Sequence, residues 1–280
     1  MFEILRKESF SPNVKCMTVA APRIAKKARP GQFVVIYAHD GGERIPLTIA
    51  DFDRAAGTIT LVFQEVGKST MEFGLLVEGD RFLNVIGPLG KPSEIEGFKE
   101  VVCVGGGIGI APLYPIARGF KEHGARVVSI IGARSKNLLF FEDKMRAVSD
   151  ELVVCTDDGS TARKALVTEP LIEVLKRDGK AVERVMAIGP GIMMKFAAAA
   201  TRPFGVKTMV SLNAIMVDAT GMCGACRVQV GGKTLFSCVD GPEFDGHEVD
   251  FDLLLSRQRT YLDEERLAVE RFKESQFAKG

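Results

Sequence analysis

Three cysteines and one aspartate in the last third of the chain have the spacing of an iron–sulfur site. Cys223, Cys226 and Cys238 fall within sixteen residues, and four residues separate Asp218 from Cys223. Plant-type two-iron clusters use C-x4-C-x2-C with a more distant fourth cysteine, and D-x4-C-x2-C-x11-C reproduces this spacing with Asp218 at the first ligand. The sequence therefore predicts a [2Fe-2S] cluster whose fourth ligand is Asp218 or a group from outside the protein.

Two other uses of these thiols stay open. Zinc accepts a carboxylate oxygen beside three thiolates, and three free thiols in a loop are the simplest alternative. Disulfides are not expected, since the chain is expected to be cytoplasmic. The remaining cysteines lie in predicted strands and are poorly placed to complete a site: Cys16, Cys103 and Cys155.

A glycine-rich turn in the middle of the chain is typical of a nucleotide site. The run VVCVGGGIGIAP passes from a predicted strand into glycines and then into a helix that begins near Pro112. Glycines let the backbone approach a pyrophosphate, and a helix start supplies N–H groups. Ligands of open α/β sheets bind at the carboxyl ends of the strands. The candidates at these ends are Gly105, Gly106, Gly107, Ile108, Gly109, Pro112, Gly132, Ala133, Arg134, Asp157, Asp158, Gly159, Gly189 and Pro190.

The type of nucleotide stays open at this point. Ordinary turn chemistry also places glycine and aspartate in such loops. No acidic residue ends the second strand, where a carboxylate usually binds the ribose. Arg134 is suited to a ribose or to a 2′-phosphate, so NAD and NADP are both compatible with the residues.

Two motifs in the N-terminal third are suited to a phosphate. Arg44 begins the run RIPLT, and an arginine binds a phosphate in a bidentate manner. The turn Gly67-Lys68-Ser69-Thr70 offers N–H groups at a helix start. It is not a Walker motif, because Val62 stands where the upstream glycine would be. A surface arginine and a helix N-cap by Ser69 are the simpler interpretations.

The predicted elements divide the chain into a barrel and a parallel sheet. Short strands over 2–8, 13–20, 32–38, 44–50, 57–64 and 80–86 predict an antiparallel barrel. Strands over 100–105, 125–132, 151–156, 183–189 and 206–212 alternate with helices over 112–124, 137–148, 163–177 and 191–201, which predicts a parallel sheet. We expect residues 213–245 to be irregular apart from a hairpin near VGGKT, and residues 252–275 to form one amphipathic helix.

Composition narrows the function classes. The 37 Lys and Arg residues nearly balance the 36 Asp and Glu residues, which argues against nucleic acid as a partner. No apolar run is long enough for a membrane span, and the first residues do not resemble a signal peptide. The three histidines are scattered, so the sequence predicts no catalytic triad and no catalytic residue beyond cofactors.

In the order RxPLT, GKST and GPLG, followed by GGGIGIAP, these motifs resemble the ferredoxin reductase superfamily. The resemblance implies that Arg44 and the turn 67–70 hold the FAD pyrophosphate. It also implies a flavin strip, Pro46, Leu47 and Thr48, that lines the flavin ring. Val62, Phe63 and Gln64 on another predicted strand are further candidate cofactor contacts. The expected fold is an antiparallel β-barrel FAD domain over 1–97, an α/β parallel-sheet NAD(P)-binding domain over 98–212, a [2Fe-2S] segment over 213–250 and a C-terminal helix over 251–280.

The whole chain is similar to the electron-transfer subunits of dihydroorotate dehydrogenase B and their relatives. VSLNAIMVDATGMCGACRV resembles the branch of small subunits of NADH-dependent reduced ferredoxin:NADP oxidoreductases, also called sulfide dehydrogenases. In that branch a cluster held by one Asp and three Cys is expected. The branch implies hydride exchange between NAD(H) and FAD, single-electron exchange with the cluster, and a heterodimer with a larger flavin and [4Fe-4S] subunit that acts on ferredoxin. The dihydroorotate dehydrogenase subunit itself and a non-enzymatic, nucleotide- and metal-binding regulator are the alternatives.

Overall fold

A seven-stranded antiparallel sheet forms the N-terminal part of the computed structural model, which describes residues 2–161 and 163–277. Its elements are β1 (Phe2–Ser11), β2 (Val14–Ala20), α1 (Pro22–Lys27), β3 (Phe33–Tyr37), β4 (Arg44–Asp53), β5 (Thr58–Gln64), α2 (Lys68–Leu75), β6 (Arg81–Phe82) and β7 (Asn84–Leu89). The strand order is β6-β1-β2-β5-β4-β3-β7. Only Leu83 separates the edge strands β6 and β7, so the sheet nearly closes into the predicted barrel.

Five parallel strands with crossover helices follow, as predicted. The elements are β8 (Glu100–Gly106), α3 (Ile110–Glu122), β9 (Arg126–Ala133), α4 (Glu142–Ala147), β10 (Glu151–Thr156), α5 (Thr168–Asp178), β11 (Arg184–Ile188), α6 (Gly191–Thr201) and β12 (Thr208–Ser211). The cysteine-bearing segment then contributes the predicted hairpin of β13 (Arg227–Val230) and β14 (Lys233–Phe236), and a further strand, β15 (Glu243–Asp245). The chain continues into α7 (Phe251–Gln258) and α8 (Leu262–Phe277).

The cysteine-bearing segment is more regular than predicted, because β15 joins the second sheet. The strand order is β10-β9-β8-β11-β12-β15, and β15 pairs antiparallel with β12. The sheet is therefore mixed, and its edge strand belongs to the segment expected to be irregular. Three residues are too few for alternation to reveal a strand in the sequence.

The prediction of one tail helix over 252–275 is wrong. The Thr260 hydroxyl donates to the Arg257 carbonyl at 2.7 Å and satisfies a group that a continuing helix would use. Phe251 and Leu254 bury α7 against the second sheet, whereas Leu262 at the start of α8 is half exposed. The two helices thus have different environments, although the sequence pattern runs through both.

One buried hydrophobic cluster spans the barrel and the α/β domain. Val14, Cys16 and Ala50 of the barrel pack in the same buried cluster as Ile110 and Ala111 of α3. At its rim the Arg118 guanidinium donates to the Asp51 carboxylate at 2.7 Å, and the rings of Phe10 and Phe140 stack with centroids 5.2 Å apart. These contacts fix the carboxyl ends of the parallel strands relative to the barrel.

Candidate functional site

The four predicted iron ligands lie in residues 218–238, here called the cysteine loop, which lies against strand β3 of the barrel. Cys226 and Cys238 are buried, and their sulfur atoms are 3.2 Å apart. They belong to a small apolar cluster that also contains Phe33 and Val35 of β3. The two thiols are therefore brought together on the outer face of the barrel, although twelve positions separate them in sequence.

Backbone N–H groups point at the sulfur atoms of this loop. The Cys238 amide donates to Cys226 Sγ at 3.4 Å, and the Ala225 amide donates to Cys223 Sγ at 3.5 Å. Gly224 makes the bend between the first two cysteines with φ +68°, a left-handed conformation that favours glycine. Amide donors around thiolates set the potential of iron–sulfur clusters, so the donor set fits such a cluster.

Asp218 stands at the entrance of the same loop. Its Oδ1 accepts from the Thr220 amide at 2.8 Å, and its Oδ2 accepts from the Cys223 amide at 2.9 Å. The hydrogen bond from Thr220 lowers the pKa of Asp218. Within residues 2–161 and 163–277, no three metal-binding side chains meet at metal distance. The loop holds all four predicted ligands, and the role of Asp218 at iron stays a prediction.

The cysteines outside this loop are buried in the sheets. Cys16 lies in β2, Cys103 in β8 and Cys155 in β10. Burial raises the pKa of Cys103 to about 12 and that of Cys16 to about 11. Because metal ligation requires the thiolate, these three residues are unsuited to the site, as predicted.

The two predicted phosphate motifs lie side by side on the barrel. The Ser69 hydroxyl in the first turn of α2 donates to the Glu43 carboxylate, which directly precedes Arg44. The Thr70 hydroxyl accepts from the Val66 and Gly67 amides, each at 3.1 Å, and so caps the helix. The Glu43 carboxylate thus lies at the start of α2, and the Arg44 guanidinium lies over the Tyr37 ring, 5.1 Å from its centroid. That Arg44 and the turn 67–70 hold one FAD pyrophosphate stays a prediction.

The predicted flavin strip lies on β4, next to β3. Pro46 pairs with Val35 and Thr48 with Phe33, so Pro46 and Thr48 face the same side of the sheet as these partners. Leu47 alternates toward the barrel core. Neighbouring strands are about 4.8 Å apart. The flavin strip and the cysteine loop therefore lie on one face of the barrel, one strand apart.

Three of the candidate cofactor contacts, Val62, Phe63 and Gln64, lie at the end of the neighbouring strand β5. Phe63 is buried in the barrel core, where its ring meets Phe73 edge to face at 6.0 Å. Val62 is buried in the core shared with α3. The side chains of Val62 and Phe63 are both committed to packing, whereas Gln64 is partly exposed.

A cavity of about 830 Å³ opens at the carboxyl ends of β8, β9, β10 and β11. Seven of the predicted nucleotide residues line it: Gly106, Gly107, Gly132, Ala133, Arg134, Asp157 and Pro190. Gly109 lies beneath, where a Cβ would stand 2.2 Å from the Ile188 carbonyl oxygen. The glycine therefore permits the close approach of helix and strand on which this edge depends.

The remaining candidates border the cavity or lie behind it. Gly105 packs against Leu113, and Gly189 against Met193. Ile108 is partly buried in the turn before α3, and Pro112 lies in the first turn of that helix. Asp158 accepts from the Ser160 amide at 2.8 Å, and Gly159 follows with φ +79°. Asp158 and Gly159 thus serve the turn, as the simpler interpretation expected.

One wall of this cavity is apolar and was missed in the sequence. Leu166, Ile172, Ile192, Met193 and Phe196 line it, and Phe196 is 57% exposed. A signal was present, because GIMMKFAAAA of α6 is apolar on nearly all sides. A helix of that kind is expected to be buried throughout, so its exposed face indicates a binding surface.

Barrel, cavity and cysteine loop together define a flavin- and nucleotide-dependent electron-transfer protein with a ferredoxin reductase-like fold. Residues 213–250 match the iron-sulfur cluster binding domain of dihydroorotate dehydrogenase B. A dihydroorotate dehydrogenase B (NAD(+)) electron transfer subunit homolog of Thermotoga maritima is 49% identical over 96% of this chain and 95% of its own length. The electron transfer subunit of Fusobacterium nucleatum is 30% identical over 80% and 87%.

The chain belongs to the family of dihydroorotate dehydrogenase B electron transfer subunits. A solved structure of the NADH-dependent reduced ferredoxin-NADP oxidoreductase, described for its insights into flavin-based electron bifurcation, superposes with a TM-score of 0.92. It is 48% identical and covers 97% of this chain and 98% of that chain. A ferredoxin NADP+ reductase from Neisseria gonorrhoeae with bound FAD and NADP shares the fold at 20% identity and a TM-score of 0.59, covering 73% of this chain and 91% of that chain.

These relationships confirm the cofactor class and the enzyme class. The protein is an oxidoreductase electron transfer subunit of the class that uses FAD, an iron–sulfur cluster and NAD(P)H. Zinc, free thiols and a non-enzymatic regulator are thereby disfavoured as interpretations. In the described ranges, no helix has the length and apolar character needed to span a membrane.

Proposed function

We propose that the chain exchanges hydride between NAD(H) and FAD, and single electrons between FAD and a [2Fe-2S] cluster, as the small subunit of an electron-bifurcating oxidoreductase. The observation that carries this proposal is the placement of the cysteine loop one strand from the flavin strip, through Phe33 and Val35 of β3. When bound, the nicotinamide supplies electrons in pairs, the flavin splits the pair, and the cluster accepts one electron at a time.

The chain's own residues bind and orient these groups. Arg44 and the turn 67–70 are suited to the FAD pyrophosphate, and Pro46 and Thr48 to one side of the flavin ring. The glycines at the cavity rim leave room for a nucleotide pyrophosphate. The apolar wall beside Phe196 would exclude water from a bound nucleotide. Asp218, Cys223, Cys226 and Cys238 are the proposed iron ligands.

The positions of the three proposed binding sites support this order of electron transfer. The nucleotide cavity lies at the strand ends that the shared core holds against the barrel. The flavin strip lies on the barrel, and the cysteine loop lies beyond it on β3. A flavin between nucleotide and cluster is needed chemically, because a hydride carries two electrons and a cluster takes one.

We propose as partner a larger flavin and [4Fe-4S] subunit that contacts ferredoxin. The 97% coverage of this chain by the bifurcating enzyme's structure supports that choice. The second candidate is the catalytic subunit of dihydroorotate dehydrogenase, which the names of several relatives favour. Anaerobic purification from native extract, with identification of the co-purifying subunit, separates the two.

The chemical proposal is tested on the purified subunit. Anaerobic addition of NADH is expected to bleach the flavin absorbance and to produce the electron paramagnetic resonance (EPR) signal of a reduced two-iron cluster. A parallel addition of NADPH measures nucleotide preference. A sample with full flavin and iron content that neither nucleotide bleaches would refute the hydride route.

A further inference from the structure

Helix α7 lies outside the segment matched by the iron–sulfur family model, yet it contacts the cysteine loop. The Arg257 guanidinium donates to the Ala225 carbonyl at 3.0 Å, across 32 positions of sequence. Ala225 stands between Cys223 and Cys226, so this hydrogen bond holds the peptide between two proposed iron ligands. The matched segment ends at residue 250, and α7 begins at Phe251.

A second side chain of α7 contacts the first residue of the segment that the iron–sulfur family model matches. Gln258 Nε2 donates to the Asn213 carbonyl at 2.9 Å and to Asn213 Oδ1 at 2.8 Å. Adjacent residues of one helix therefore hold the beginning of the segment and its cysteine turn. A local contact, from Arg227 to the Gly224 carbonyl at 3.2 Å, adds a second guanidinium at the turn.

The helix is itself firmly anchored. The Asp250 carboxylate accepts from the Leu253 amide at 2.9 Å and caps α7, and the Asp250 amide donates to the Gln229 carbonyl of β13 at 2.9 Å. Phe251 and Leu254 are buried against the second sheet. Arg257 is therefore presented from a rigid element, and its guanidinium is partly buried at the contact.

We infer that Arg257 is a positioning residue of the iron–sulfur site, which holds the Cys223–Cys226 turn in place and raises the reduction potential of the cluster. A thiolate-held two-iron cluster is anionic and gains a further negative charge when it accepts an electron. A fixed cation nearby stabilises the reduced form more than the oxidised form. The electron comes from the flavin, and no bond forms or breaks at Arg257.

The inference rests on the cluster of the proposed function but does not need its hydride step. Its tests use a chemical reductant and a chelator, without nucleotide or partner subunit. A failed NADH reaction would therefore refute the hydride route without bearing on Arg257, whereas the cluster potentials and iron-release rates of the Arg257 variants test Arg257 alone.

The variants are made in the full chain. Arg257→Gln removes the charge and Arg257→Lys keeps it without the planar guanidinium. Arg259→Gln is the matched control, because Arg259 is exposed two positions further on and its loss changes the net charge equally. Iron and FAD content, the EPR spectrum and the potential from a dithionite titration are measured for each.

For Arg257→Gln we expect a lower cluster potential and a changed EPR line shape. The shift corresponds to a three- to tenfold change in the one-electron equilibrium, and tenfold is about 59 mV. Arg257→Lys is expected to retain most of the wild-type potential, and Arg259→Gln to retain all of it. A potential and spectrum of Arg257→Gln equal to those of Arg259→Gln would overturn the role in tuning.

Iron loss to an anaerobic chelator tests the holding role, and does so even if Arg257→Gln does not fold. Both Arg257 variants are expected to release iron several times faster than wild type, because the carbonyl between two ligands loses its directed donor. Arg259→Gln is expected to release iron at the wild-type rate. An Arg257→Lys chain that releases iron as slowly as wild type would overturn the holding role.

Discussion

The nucleotide cavity and the cysteine loop are built in opposite ways. The cavity arises where parallel strands end, and close backbone contacts such as Gly109 on Ile188 shape it. The cysteine loop is a set of turns that acquires its shape from elements far away in sequence, namely β3 on one side and α7 on the other. A site of the first kind is lost when the sheet is strained, whereas a site of the second kind is lost when a remote support is removed.

The largest expected effect is a loss of iron from the cysteine loop that leaves the nucleotide cavity and the flavin strip unchanged. Cys238→Ser removes a proposed iron ligand, and iron content is expected to fall at least about tenfold. FAD content and the bleaching of flavin by NADH are expected to persist, because the cavity and the flavin strip do not use this residue. Iron analysis and absorbance spectra check both statements.

Cys155→Ala is the control for that experiment. This thiol is buried in β10, outside the loop, and its removal is expected to leave the iron content unchanged. An equal loss of iron in both variants would show that iron binding depends on the sheet as well as on the cysteine loop.

The next effect tests the strain of the cavity edge. Gly109→Ala places a Cβ 2.2 Å from the Ile188 carbonyl oxygen, and overpacking of this kind lowers the free energy of unfolding by about 3 kcal/mol. Gly107→Ala is the comparison, because apart from the two adjoining residues no heavy atom of the described chain lies within 4 Å of its Cβ position. Its φ of +54° is left-handed and costs about 1 kcal/mol. Denaturant titration should rank the two in this order, and the reverse ranking would contradict the packing argument.

A third effect concerns the junction between the barrel and the cysteine segment. Glu243 of β15 is half-buried, and Ser93, in the connection between the domains, donates to its carboxylate at 2.5 Å. The pKa of Glu243 is raised from 4.5 to about 7, and burial is the largest cause. The positive charge of Arg184 opposes this rise, and the negative charge of Glu94 adds to it. Cys103 of β8 also faces this carboxyl. The folded chain therefore binds the proton more tightly than the unfolded chain.

The protonated Glu243 carboxyl stabilises the folded chain at low pH. This contribution to stability is complete below pH 4.5 and is lost as the pH rises through about 7. The side chain of Glu243→Gln stays neutral at every pH. Between pH 5 and 8 the free energy of unfolding of this variant should therefore increase relative to that of wild type, by up to about 3 kcal/mol. Glu264→Gln on exposed α8 serves as control. A difference between Glu243→Gln and wild type that stays constant over this range would contradict the account.

The smallest effect concerns the apolar wall. Phe196→Ala is expected to raise the KM for nucleotide about fivefold, which is about 1 kcal/mol, because a half-exposed ring loses its contact with the ligand. Leu267→Ala removes a similarly exposed side chain on α8, away from the cavity, and should leave KM unchanged. Equal KM values for the two variants would remove the wall from the site.

The difference between the nucleotide cavity and the cysteine loop also explains which features could be predicted from the sequence. The barrel and the parallel sheet follow from alternation and from strand–helix rhythm, which are local properties. Cys223, Cys226 and Cys238 were visible because ligand spacing within one loop is local as well. Arg257 and Glu243 were not visible, since each acts on a residue far away in sequence, at Ala225 and Ser93. The break after α7 was hidden because one apolar pattern runs through two environments.

We propose that the flavin strip on β4 joins the nucleotide cavity to the iron–sulfur cluster of the cysteine loop, which lies against β3. Rapid-freeze EPR on the subunit, with FAD bound and after FAD removal, tests it most directly. With FAD bound, NADH should produce the reduced-cluster signal; without FAD the intact cluster should stay oxidised until FAD is restored. Reduction of the cluster by NADH at the same rate without FAD, or its absence in the FAD-loaded protein, would contradict the account.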